Sequence, residues 1–250
     1  MKSDLVVIIG AMPSYDDKAL LKRIEHSKIA LISVMEDTSL MERVDFFSRY
    51  EAGSEEGVIS ILTKEFLKEK ELPQELMEYF ENLDEGYISA ETNIGEEEIE
   101  ELAAMIKSAT SPLIVLGPDL FLHPRFENIN RFINLLIKYR DVEVLPLGKV
   151  EKSEKEVPQE IEELESFNGT VVFNYKSDED AGILRGSPQF SVAAKVQDGQ
   201  AVEIKIENTA ENRRFVLDNE LKGTIALMPS AKESASYRFK VAKIIKREVQ

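Results

Sequence analysis

Apolar residues along this chain fall into short unbroken runs separated by amphipathic stretches. Leu5–Ile9 is one such run, rich in β-branched residues and ending at Gly10. With no polar position inside it, it predicts a parallel strand buried on both faces. Residues 16–25 carry Ala19, Leu20, Leu21 and Ile24 at helical spacing, with Asp16 and Asp17 where a helix start favours negative charge. Residues 29–34 predict a second buried strand and 44–50 a third extended segment. A helix over 57–68 places Val58, Ile61, Leu62 and Phe66 on one stripe. Pro73, Gly86 and Gly95 punctuate residues 69–95, which read as an insertion holding a short helix near 74–82. Glu96–Ser108 predicts a strong helix, Pro112–Leu116 a strand ending at Gly117, 125–139 a helix and 142–145 a closing strand. Strand–helix alternation at this spacing predicts a doubly wound, mostly parallel Rossmann-like α/β domain over residues 1–150.

The texture changes at residue 149. Residues 149–166 are mostly Glu and Lys and read as a charged linker (151–167 between the two domains), with possible helix at 158–166. Beyond it the pattern is β: 171–175, 201–207, 213–217, 224–228 and 237–245 are strand-like, and Asp198-Gly199 and Lys222-Gly223 mark tight turns. The strict alternation Val202-Glu203-Ile204-Lys205-Ile206 gives that strand one wet face. About five short strands in about 80 residues suggest a small closed β-barrel, over residues 168–250.

Composition narrows the chemistry. There is no cysteine, which excludes disulfides, cysteine-ligated iron–sulfur clusters, zinc ribbons and thiolate nucleophiles. The two histidines, His26 and His123, are too few for an all-histidine metal site. A formal net charge of −16 opposes binding to nucleic acid or anionic lipid, and it serves either solubility or a face that meets a basic partner. No apolar run approaches the roughly 20 residues that span a bilayer. Leu5–Ile9 is too short for a signal peptide's apolar region, so the expected address is the cytoplasm.

Few residues look like a site. Gly10-Ala11-Met12-Pro13-Ser14 ends the first strand, where a small residue can let a phosphate approach a helix start. The second and third glycines of a dinucleotide fingerprint are missing, so a plain turn is the competing reading. Gly117-Pro118-Asp119 ends a later strand in the same way, and the two strand ends could flank one crevice. Glu36-Asp37 follows the second strand; an acid there binds a ribose hydroxyl, or Asp37 or Thr38 caps a helix. Gly10, Met12, Glu36 and Gly117 are therefore the crevice candidates. His123-Pro124-Arg125 precedes a helix, and spacing names no partner that would orient a catalytic imidazole, so His123 reads as structural. The Glu-rich runs 96–101 and 160–165 read as solvated helix faces. No catalytic residue and no metal ligand is assigned.

In order, the segments resemble the later part of molybdopterin oxidoreductase catalytic subunits. Asp4-Leu5-Val6-Val7-Ile8-Ile9-Gly10-Ala11-Met12-Pro13 is similar to that family's strand ending in Gly-Ser-Asn-Pro, and Ala52-Gly53-Ser54-Glu55 to its Pro-Gly-Thr-Asp segment. The run from Ala109 to Gly117 resembles the strand opening its next lobe. Val196 to Ile204 and Leu221 to Leu227 look like its carboxyl-terminal double-psi barrel. Leu122-His123-Pro124-Arg125-Phe126-Glu127-Asn128-Ile129 is similar to a His-Pro-Arg-Ala-Glu-Asn stretch typical of the G subunits of NADH–quinone oxidoreductase, respiratory complex I. Those subunits carry the molybdopterin fold in their later domains, generally without molybdopterin. Residues 98–148 also resemble the central domain of thiamine-diphosphate enzymes.

The departures matter. Active relatives have Asn where Met12 stands, and Asp-Pro-Arg where this chain has Met35-Glu36-Asp37; it also lacks any cysteine- or selenocysteine-type metal ligand. The resemblance implies a structural lobe with no cofactor of its own. It would not be catalytic alone, and would be part of an NADH dehydrogenase complex, peripheral to the inner membrane. Its partners would be other subunits, iron–sulfur subunits included. The abrupt start at a core strand reads as a fragment or a split subunit. The alternatives are a fragment of an active molybdenum or tungsten pterin-dependent oxidoreductase, and a stand-alone nucleotide-binding regulatory protein.

Overall fold

The computed structural model describes residues 3–140, 142–165, 167–177, 179–232 and 234–247. The chain forms two compact units, one from Met1–Val34 with Leu40–Ser166, the other from Met35–Ser39 with Phe167–Gln250.

The first unit is built on five parallel strands: β1 (Leu5–Ile9), β2 (Lys28–Ser33), β3 (Phe46–Arg49), β4 (Pro112–Leu116) and β5 (Glu143–Pro146), in the order β3-β2-β1-β4-β5. All five residues of β1 are buried, as an unbroken apolar run at the centre of a doubly covered sheet requires. Among the described residues, eight α-helices accompany the sheet: α1 (Pro13–Asp16), α2 (Lys18–Arg23), α3 (Glu55–Leu67), α4 (Gln74–Glu81), α5 (Glu85–Thr92), α6 (Glu96–Ser108), α7 (Pro118–Phe121) and α8 (Phe126–Tyr139).

Three expectations change here. The helix expected over 16–25 is broken at Asp17, which adopts an extended backbone (φ −152°, ψ 89°) and caps α2 by accepting from the N–H groups of Ala19 and Leu20. The expected insertion holds a second helix, α5, started by Asp84, whose side chain accepts from Tyr87 N–H at 3.0 Å. Gly86 obscured it, because glycine in an interior helical turn reads as a break. The segment expected to be a linker contains no helix among its described residues and is fastened along α8: Asn130 and Asn134 donate to the Glu151 carbonyl at 2.8 and 3.0 Å, and Asn128 accepts from Gln159 N–H at 2.6 Å. Ser166 lies outside the described residues.

Among its described residues, the second unit holds one short helix, α9 (Pro188–Ala194), and a mixed seven-stranded sheet. Its strands are β6 (Val171–Lys176), β7 (Ile183–Gly186), β8 (Ala201–Ile206), β9 (Thr209–Leu217), β10 (Ile225–Ser230), β11 (Phe239–Val241) and β12 (Lys243–Lys246), in the order β11-β6-β10-β7-β9-β8-β12. β6 with β10 and β7 with β9 run parallel; the other pairs are antiparallel. The alternation in β8 is realised, with Val202 and Ile204 in the core beside Phe190 and Phe215. The strand expected over 237–245 is two strands at opposite ends of the sheet order, separated by Ala242. β7 and α9 have no counterpart in the sequence reading. Among the described residues, no helix is long and apolar enough to cross a membrane.

Candidate functional site

Strand order in the first sheet reverses between β1 and β4, and ligands of open α/β sheets bind beyond the carboxyl ends at such a point. The candidates Gly10 and Gly117 lie there, side by side. Gly10 turns the chain with φ 66° and donates its N–H to the Ile32 carbonyl at 3.0 Å. Gly117 donates to the Ile9 carbonyl at 2.7 Å, and Asp119 N–H donates to the Gly10 carbonyl at 3.0 Å. The two turns therefore bind each other. A Cβ placed on Gly117 would lie 2.1 Å from the Gly10 oxygen and 2.4 Å from the Ala11 Cβ, so glycine is required by the approach of two backbones.

Met12 is buried beside them. Its N–H donates to the Asp16 carboxylate at 2.7 Å, and the Ser33 hydroxyl donates to its sulfur at 3.9 Å. A phosphate at a strand end needs N–H donors aimed at it and no competing anion. At Met12 that donor is turned onto the chain's own carboxylate, and Asp17 holds two N–H groups of the next helix. These residues do not fit a bound phosphate at the end of β1, and the segment from Gly10 to Ser14 is a strand-to-helix turn.

Glu36 follows β2 in sequence. It belongs to the second unit, where its carboxylate pairs with Lys222 at 2.9 Å. Asp37 is buried, and no α-helix starts after it; the 3-10 turn Met41–Arg43 has Leu40 at its start, so neither Asp37 nor Thr38 is a helix cap.

The most connected polar cluster surrounds His123, in the loop between α7 and α8. Arg125 N–H donates to His123 Nδ1 at 3.0 Å, so the ring proton is on Nε2, which donates to the Gly53 carbonyl at 3.0 Å. A Glu55 carboxylate oxygen lies 3.5 Å from Nε2, and the two side chains are 0% and 3% exposed, Glu55 the lower. Burial lowers the imidazole below its ordinary value, which keeps the ring neutral. A ring so enclosed, with both nitrogens engaged, positions the start of α3 and does not reach a substrate.

Arg125 Nε donates to both oxygens of Glu56 at 3.1 and 3.2 Å, which strengthens its charged form, and Nη1 donates to Glu162 at 2.9 Å. Asn128 Nδ2 donates to Glu56 at 2.7 Å and to the Gln159 carbonyl at 3.0 Å. Tyr79 hydroxyl donates to that same carbonyl at 2.8 Å, and burial pushes the phenol's titration up. The His-Pro-Arg-Phe-Glu-Asn stretch is thus a clamp that joins α3, α8 and the segment 151–165. Glu56 and Gln159 were invisible as members, and Glu55 entered only as the end of the segment Ala52–Glu55; clustered charge such as Glu55-Glu56 usually means a solvated face.

Of the two Glu-rich runs expected to be helix faces, only 96–101 is helical; 160–165 has no helix, and its Glu162 pairs with Arg125. Glu98 closes the start of α6 by accepting from Gly95 N–H at 2.6 Å. Among the described residues, no group of His, Asp or Glu side chains is arranged to hold a metal ion.

No family model matches the chain, and no curated protein matches it. Its fold is similar to that of a solved structure, acetylene hydratase from Pelobacter acetylenicus, with a TM-score of 0.56 and 7% sequence identity over 92% of this chain and 71% of that one. At that identity the likeness is one of fold: an α/β unit with a parallel five-stranded sheet, accompanied by a mixed seven-stranded sheet.

Proposed function

We propose that the chain is a non-catalytic structural part of a G-type subunit in the electron-input arm of NADH–quinone oxidoreductase. The observation that carries this reading is the use made of the segment from His123 to Asn128. The residues that resemble the G subunit's stretch are spent on internal bonds to Gly53, Glu56 and Gln159. The engaged N–H at Met12 and the backbone contact between Gly10 and Gly117 agree with it. In this reading the second unit is a double-psi-like barrel, supported by the two parallel pairs, β6–β10 and β7–β9, that lie side by side in its mixed sheet. Electrons pass through iron–sulfur partners, since this chain has no cysteine to ligate a cluster. The complex holds the chain at the cytoplasmic side of the inner membrane.

The test is His123→Gln in the assembled complex. The amount of complex should fall while NADH oxidation per assembled complex stays at the unmodified rate. Full assembly with turnover lost would overturn the reading.

The likeness in fold to an enzyme, acetylene hydratase, favours a second reading, an active molybdenum- or tungsten-pterin oxidoreductase fragment. It requires a metal and a pterin nucleotide in stoichiometric amount with the chain.

A further inference from the structure

A groove of about 750 Å³ runs over α3 in the first unit, walled by α4, α5 and α6. Its apolar lining comes from Ile61, Leu67, Phe80 and Ile99, with Met77 at its edge. Met77 is one of the few large apolar side chains left exposed, at 46%. Isolated exposed apolar residues are ordinary, but one continuous with an apolar groove is an unfinished contact. The charged lining holds five glutamates and three lysines, an excess of two negative charges. Lys64 is engaged with Glu85 at 2.5 Å and Lys68 with Glu65 at 3.2 Å, and Glu81, Glu96 and Glu100 are exposed members of the lining.

We propose that this groove docks a basic amphipathic helix of a partner protein, apolar side chains on its floor and Lys or Arg against Glu81, Glu96 and Glu100. Three features select that occupant. A volume of about 750 Å³ is a little under two turns of a helix roughly 10 Å across. The walls are helices, and an amphipathic helix laid into such a groove reads out as anchors at i, i+3 and i+4. The rim is acidic in a chain of net charge −16, so a second copy brings like charge and a basic partner brings opposite charge. The site is separate from the clamp at His123, and its fate does not depend on which complex holds the chain.

The probe is a labelled synthetic Leu/Lys peptide with an apolar stripe at helical spacing, and its Leu/Glu counterpart, titrated against the full chain at physiological salt and read by fluorescence anisotropy. The Leu/Lys peptide should bind saturably and protect residues within 61–100 from deuterium exchange. Met77→Ser, or Glu81→Gln with Glu96→Gln and Glu100→Gln, should weaken it about tenfold. The matched change in the other unit, Glu179→Gln with Glu207→Gln and Glu220→Gln, should move it less than about twofold. Equal loss from both charge sets would mean unspecific attraction and overturn the proposal. So would absent saturation, equal binding of the Leu/Glu peptide, or a self-association of the chain that Met77→Ser removes.

Discussion

Replacing Gly117 with Ala tests the contact between the two strand ends. The backbone at Gly117 is extended (φ −87°, ψ 169°), so alanine adopts it freely and conformational strain is not the cost. The cost is steric. The new Cβ lands 2.1 Å from the Gly10 oxygen, 2.3 Å from the Gly10 carbonyl carbon and 2.4 Å from the Ala11 Cβ, and backbone cannot rotate away as a long side chain can. Overpacking of this kind costs about 1–3 kcal/mol. Separating the turns also weakens the bonds from Gly117 to Ile9 and from Asp119 to Gly10, roughly 1 kcal/mol in all. The sum is about 2–4 kcal/mol, a fall in melting temperature of roughly 5–15 °C for a unit of this size. Far-UV circular dichroism at the helical band follows it, because among the described residues eight of the nine α-helices belong to the first unit. Gly86→Ala is the companion. Its Cβ meets only the Asp84 carboxylate at 3.6 Å, and an alanine there should stabilise the same unit by about 0.5–1 kcal/mol. If Gly117→Ala unfolds within about 0.5 kcal/mol of the unmodified protein, the strand ends are not in contact and the argument for a closed crevice fails.

Other outcomes follow from the clamp and the caps. Asn128→Ala leaves the buried Glu56 carboxylate without one donor and frees Gln159; it should cost about 2–4 kcal/mol and expose residues 151–165 to proteolysis, whereas an unchanged cleavage pattern would dissociate that segment from α8. His123 has its folded value lowered from 6.5, so the unfolded chain binds the proton more readily. Its stabilising contribution is present above pH 6.5 and is lost as the pH falls below it. Urea titrations at pH 5.5 and 7.5 should show a loss on acidification that is smaller in His123→Gln; equal losses would place the cause elsewhere. Asp17→Ala removes the cap of α2 and should cost about 1 kcal/mol, read in the same urea titrations.

The centre of the first unit's sheet was legible because β1, β2 and β4 bury both faces. Unbroken runs such as Leu5–Ile9 and Pro112–Leu116 announce that arrangement. The second unit was less so. β7 contains Arg185 and Gly186, and its place is set by pairing with β9 and β10, a long-range contact with no local signature. Ala242 is a helix-compatible residue in an apolar stretch, so nothing announced that the chain leaves one strand there for another. The pairing of Gly10 with Gly117 was anticipated as a shared crevice; that it is filled depends on Asp16 and Ala11, whose neighbours spacing cannot name. The clamp at His123 required residues 53, 56, 125, 128 and 159 to meet, and the buried ends of α3 look in sequence like ordinary acidic surface.

The central claim is that this chain acts as structure within an assembly and holds no redox chemistry of its own. Native mass spectrometry of the chain isolated from its source, with elemental analysis of the same sample, tests it most directly. The account predicts the chain bound to iron–sulfur subunits, with no molybdenum, tungsten or pterin nucleotide in stoichiometric amount with it. A lone chain carrying a pterin nucleotide and one metal ion per molecule would contradict it.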